Sequence, residues 1–179
     1  MIRSPFEQRP LDAAVHDTET ATLTFDGAQA WLRAALAGPM EPLAAEVWVL
    51  DPALERIVLI KHRWRAWVPP GGKVEPGETP REGAARELAE ETGLRLQLLE
   101  QPAAVAVRSF HPKWPATLSL SYAAIADPAQ PLVAEDGQPV AWTPLQQDWQ
   151  SFFPGDASRI RQYVEALRRR GTSGRTWRS

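Results

Sequence analysis

The sequence predicts a mixed β-sheet with helices packed on it, an α/β or α+β domain. Three observations lead there. At 179 residues the chain is one domain by the usual measure of roughly 100–200 residues each. Its composition, 44% hydrophobic and 23% charged, is that of a protein that buries a single sizeable core. Finally, short β-branched runs alternate with segments of helical spacing.

Taken in order, residues 1–20 look irregular, with Pro5, Pro10 and scattered charges. Ala28, Trp31, Leu32, Ala35 and Leu36 then recur at helical spacing, with Asp26 placed to cap the helix and Gly38-Pro39 to end it. Residues 44–50 and 56–62 are two apolar runs around Asp51-Pro52, the pattern of a hairpin. Pro69-Pro70-Gly71-Gly72 is a rigid turn. Thr79-Pro80-Arg81-Glu82 is a complete helix start: cap, proline at the first helical position, and a glutamate to close the capping box. Gly93 stands where a left-handed C-terminal residue is wanted, so this helix spans 80–92. Residues 101–109, 116–126 and 139–142 are strand candidates, and Asp156 opens a last helix. The expected organisation is an extension with one helix over 1–42, a main domain over 43–170 and a flexible tail over 171–179.

Composition narrows the function classes. With 20 Lys+Arg against 22 Asp+Glu, the chain is no broadly basic nucleic-acid coat, and no nucleic-acid partner is expected. The absence of Cys removes disulfides, thiol nucleophiles and thiolate metal sites. No apolar run approaches the about 18 residues of a membrane span, and the start Met1-Ile2-Arg3-Ser4-Pro5 lacks a signal-peptide core. No membrane association is expected, and the expected location is cytoplasmic.

The chemistry is concentrated between Gly71 and Leu94. Glu87, Glu90 and Glu91 stand at i, i+3 and i+4 on one turn of the helix. Like charges so placed cost an isolated helix about 0.2–0.5 kcal/mol per pair. The cluster makes sense beneath a divalent cation, and hard oxygen ligands suit Mg²⁺ or Mn²⁺. Alone, the same triplet also fits an ordinary solvated acidic face. Gly71-Gly72 adds a backbone that side chains do not block. Glu78 and Arg86 are placed to pair and hold the loop onto the helix.

Gly72, five residues, Glu78, seven residues, and then Arg86-Glu87-Leu88-Ala89-Glu90-Glu91-Thr92-Gly93-Leu94 resembles the complete Nudix box, G-x5-E-x7-R-E-U-x-E-E-x-G-U, with no departure. Downstream, Glu135-Asp136-Gly137-Gln138-Pro139 and Trp142-Thr143-Pro144-Leu145 are similar to a segment of MutT-type members. The resemblance implies an α/β/α sandwich. It implies metal ions held by Glu87, Glu90 and Glu91, with the carbonyl of Gly71 or Gly72 completing the shell. Arg86 would orient Glu87. Glu91 or Asp136 would be the catalytic base, and Glu135 is the neighbour that could replace Asp136.

The implied activity is hydrolysis of the pyrophosphate linkage in a nucleoside diphosphate derivative. A nucleoside triphosphate, ordinary or oxidised, leads as substrate. ADP-ribose, sugar nucleotides and dinucleoside polyphosphates are the alternatives. Nudix-like domains that only bind ligand form another class, but they usually lose box acids that are all present here. Arg63, Trp64 and Arg65, beside the Gly-Gly turn, suit base stacking and phosphate pairing. His111, in an aromatic and basic loop, is a further candidate, and Trp67 is expected in the core. The chain is expected to act as a monomer or homodimer.

Overall fold

The computed structural model describes residues 5–38 and 43–172. In chain order it contains α1 (Pro5–Thr20), β1 (Leu23–Thr24), α2 (Ala28–Ala35), β2 (Ala44–Leu50), β3 (Arg56–His62), β4 (Ala66–Val68), β5 (Gly71–Lys73), α3 (Pro80–Thr92), β6 (Ala104–Arg108), β7 (Thr117–Ile125), β8 (Val140–Pro144) and α4 (Asp156–Thr172). The strands form one mixed sheet in the order β1-β6-β7-β2-β3-β4, with β5 paired to β2 and β8 to β3. β2 and β7 run parallel over their full register, from Ala44↔Ser119 to Leu50↔Ile125.

Strand alternation divides the core into two layers. Val47 and Val49 of β2 join Leu118, Leu120 and Tyr122 of β7 on one face, with Ala14 of α1, Leu32 of α2 and Leu88 of α3. Trp48 and Leu50 point the other way, onto Ile160, Tyr163, Val164 and Leu167 of α4. Helices on both faces make the α/β/α sandwich that was expected.

The N-terminal segment departs from expectation. Residues 5–20 are helical rather than irregular, so the described extension carries two helices and a strand. Leu11, Ala14, Val15 and Thr18 repeat at i, i+3, i+4 and i+7, and Leu11, Ala14 and Thr18 are buried. The stripe is short and only weakly apolar, and Pro10 lies inside the helix. Docking on the sheet, rather than propensity, sustains the helix. Tyr122 Oη donates to the Asp17 carboxylate at this contact. β1 then adds to the sheet edge, Leu23 pairing with Ala104.

Asp26 is not the cap of α2. Gly27 holds that position with no side-chain hydrogen bond. The Asp26 carboxylate instead forms a two-pronged pair with Arg159 of α4, at 2.8 and 2.9 Å. Gly71-Gly72 is more than a turn, because it belongs to β5 and pairs with Glu46 and Ala45 of β2. Gly171 lies in the last turn of α4, ahead of Thr172, rather than in a tail; residues 173–179 lie outside the described residues.

Candidate active site

α3 is fixed at both ends by local chemistry. Glu82 N–H donates to Thr79 Oγ1 and Thr79 N–H to Glu82 Oε2 at 2.8 Å, the reciprocal box the sequence predicts. Gly93 ends the helix with φ 73°. A Cβ there would also lie 2.8 Å from Val133 Cβ, so the helix end packs closely on the chain that follows β7.

β5 brings the Gly-Gly backbone against the C-terminal half of α3. Gly71 N–H donates to Glu91 Oε2 at 2.8 Å. A side chain on Gly71 would meet backbone, and one on Gly72 would push the Glu87 carboxylate aside. A Cβ on Gly71 would lie 2.5 Å from Ala45 O, and one on Gly72 would lie 2.5 Å from Glu87 Oε1.

The three helix acids have different surroundings. Glu91 is 5% exposed, whereas the Glu90 side chain is 56% exposed. Burial pushes the Glu91 carboxyl up to about 8; the Gly71 N–H opposes that rise, and the charges of Glu87 and Glu135 add to it. Glu87 is also raised, first by burial, although Arg86 pulls it back. Arg86 is the brace of the whole segment. It donates to Glu78 at 2.8 and 3.1 Å, to Lys73 O at 3.1 Å, to Glu87 Oε1 at 2.8 Å and to Glu90 Oε2 at 3.2 Å. Hydrogen bonds from Arg86 hold Glu78 below the usual carboxylate range. The repulsion expected among the acids is thus partly neutralised within the protein.

Among the described residues no three acidic or imidazole groups stand close enough together to enclose an ion. The donor set still fits a hard divalent cation. Two half-buried or buried carboxylates repel each other beside an unobstructed glycine backbone, and burial makes their charge costly without a counter-ion.

A cavity of about 480 Å³ opens beside Gly72 and Lys73, walled by His62, Trp64, Arg65, Phe110 and Trp114. The rings interlock edge to face. Trp64 meets His62, His111 and Phe152 with centroids 5.1, 5.3 and 5.7 Å apart. His111 in turn lies against Trp114. Of the candidates named from sequence, Trp64, Arg65 and His111 come together here. Arg63 is exposed and is not part of the cavity wall. Trp67 packs against the core on the α4 side, as expected. Burial, with Arg65 and Arg63 nearby, lowers His62 to about 4.

Beneath the aromatic wall lies a cluster that the sequence did not reveal. Arg108 is buried between Glu46, at 2.8 Å, and Asp156, at 2.6 Å. Ser121 Oγ and Trp48 Nε1 complete the donors to Glu46. These residues come from β2, β6, β7 and α4, so no local spacing links them. On the loop before β8, Glu135 accepts from Gln138 Nε2 and lies within the electrostatic reach of Glu91. Asp136 is exposed at the tip of the same turn.

A model of the NUDIX domain matches residues 40–167. The m7GpppN-mRNA hydrolase NUDT17 of Xenopus laevis is 48% identical over 58 residues, covering 28% of this chain and 20% of that protein. A Bacillus subtilis (strain 168) protein named "Putative 8-oxo-dGTP diphosphatase YtkD" is 40% identical over 62 residues, 35% of this chain and 39% of that protein. The chain thus spans less than half the length of either relative. A C. elegans Ap4A hydrolase structure superposes with a TM-score of 0.59 at 19% identity, over 72% of this chain and 98% of that one, which shows the shared fold. With the match covering most of its length and the box intact, the chain belongs to the Nudix hydrolase family.

Proposed function

We propose that this protein is a divalent-metal-dependent pyrophosphohydrolase acting on a nucleoside diphosphate derivative, with a nucleoside triphosphate as the leading substrate. One observation carries the reading. The buried Glu91 and its neighbour Glu87 face the Gly71-Gly72 backbone at the edge of an aromatic, cationic cavity. This arrangement supports the reading of a hard-ligand set beside a wall suited to a base.

Glu87, Glu90 and Glu91, with the Gly71 or Gly72 carbonyl, would hold Mg²⁺ or Mn²⁺. When bound, the ion lowers the pKa of water and screens phosphate charge. Arg86 sets the Glu87 rotamer through its charge-assisted bond. Glu91 accepts the proton of the attacking water at Oε1, while the Gly71 N–H holds Oε2. Glu135, rather than Asp136, is the loop acid that supports it, because its charge acts on Glu91. The rings of Trp64 and Trp114 hold the base, and Lys73, beside Gly72, helps to offset phosphate charge.

The MutT-like substrate reading draws on the box, the Glu135–Leu145 segment and the name of the Bacillus subtilis relative. A panel of nucleoside triphosphates, including oxidised forms, with ADP-ribose, sugar nucleotides and dinucleoside polyphosphates, tests it. Mg²⁺-dependent release of pyrophosphate or monophosphate, abolished by EDTA, is expected, fastest with a triphosphate. Robust turnover in excess EDTA, or binding with no turnover of any compound, would overturn the reading.

A further inference from the structure

We propose that Arg65 is the clamp for the phosphate group nearest the nucleoside, a substrate-binding residue outside the Nudix box; the proposal rests on the nucleotide reading above. Arg65 differs from the other arginines near the site. Arg86 is held by Glu78, Glu87 and Glu90, and Arg108 by Glu46 and Asp156. The Arg65 Nε is buried with no hydrogen-bond partner. Among the described residues no carboxylate forms an ion pair with its guanidinium. Its half-buried guanidinium lies in the field of Glu91 and Glu46 without pairing to either, so the Nε–H is left for a ligand, and its location indicates which one.

The residue is firmly held. Its carbonyl accepts Phe152 N–H at 2.9 Å, and Trp67 N–H donates to Gln150 O at 2.9 Å. Ala66, next in the chain, has φ +58° and bridges to Ser151. A left-handed alanine persists only where its surroundings impose it. The guanidinium lies 5.3 Å from the Trp64 ring centroid and 5.8 Å from that of Phe110. The turn, the bridge and the two rings together fix its position.

That position lies between the two halves of the site. Arg65 lines the cavity together with the aromatic wall, Gly72 and Lys73, and among the described residues no carboxylate lines it. The charges that act on it most are Glu91 and then Glu46. A nucleotide with its base on the rings and its reacting phosphorus beside Glu91 must pass its nearest phosphate through this point. Glu87 and Glu91 repel that phosphate until something positive offsets them. A guanidinium fork pairs two phosphate oxygens at once, which a lysine cannot do.

The test is calorimetric binding of the four nucleoside 5′-monophosphates and the matching nucleosides, in EDTA, to the intact chain and to Arg65→Met and Arg65→Lys. The native chain should bind at least one monophosphate about 10-fold or more tightly than its nucleoside. Arg65→Met should erase that difference and leave nucleoside affinity within about twofold. Arg65→Lys should recover only part of the difference. The proposal is overturned if monophosphate and nucleoside bind the native chain equally or not at all. It is also overturned if Arg65→Met weakens both alike, as a packing residue would. If the phosphate-specific loss is found but no panel compound is hydrolysed, the clamp stands and the hydrolase reading fails. If turnover is found and binding is indifferent to Arg65, only the clamp fails.

Discussion

Gly72 Cα lies directly against the Glu87 carboxylate, so that a Cβ on residue 72 would meet Glu87 Oε1 at 2.5 Å. The obstructed atom is the far end of a flexible side chain. Gly72→Ala should therefore fold with a melting temperature close to the native one while displacing the Glu87 carboxylate, the proposed metal ligand. We expect the Mg²⁺ concentration for half-maximal activity to rise about 10-fold or more, the scale seen when ligand positioning is lost. Gly71→Ala is the contrast. Its Cβ would meet backbone, Ala45 O and Glu46 Cα, so thermal melting should show clear destabilisation of the fold itself.

Glu78 reaches the proposed cation site through Arg86, which it holds by two hydrogen bonds. Glu78→Gln keeps the shape and removes the charge. Metal affinity, followed by titrating Mg²⁺ against activity, should weaken about 10–100-fold. Arg86→Lys should behave similarly, because an ammonium cannot span Glu78, Lys73 O, Glu87 and Glu90 together.

Adjacent acids on the loop before β8 should prove unequal. The charge of Glu135 acts on Glu91, whereas Asp136 is exposed at the tip of the turn. Glu135→Gln should lower kcat about 10-fold or more at saturating Mg²⁺, and Asp136→Asn less than about threefold. The reverse order would restore Asp136 as the loop acid. Glu91→Gln should cost about 10²–10⁴-fold, the contribution of a general base.

His62 makes the fold sensitive to acid. Its folded pKa is about 4, against 6.5 for the ordinary side chain. Between these values the unfolded chain binds more protons, so this part of the stability is present above about pH 6.5 and is lost as the pH falls toward 4. The full shift corresponds to at most about 3 kcal/mol, and solvent screening of a half-buried ring brings this to about 1 kcal/mol. Urea unfolding of the native chain and of His62→Gln at pH 7 and pH 4.5 should differ by that amount, the variant losing less on acidification.

Local rules made α3 and its box legible. The Thr79–Glu82 cap, the proline at the first helical position and the left-handed Gly93 each act within a few residues, and all three stand as the sequence predicts. The β2–β3 hairpin and the opening of α4 at Asp156 were equally legible. α1 was not, because its stripe of Leu11, Ala14, Val15 and Thr18 is too weakly apolar to stand out before it docks.

The sequence by itself determined the acids, their order on one helix turn and the two glycines, because helical periodicity and capping are short-range. Only the tertiary structure decided how they differ: which acid is buried, that Arg86 reaches four groups, and that Asp26 pairs with Arg159 across 133 positions. It alone joined His62, Trp64 and Arg65 to Phe110 and Trp114 in one cavity and set Arg108 between Glu46 and Asp156. Burial and charge pairing across strands depend on where distant segments meet, and no spacing along the chain encodes that.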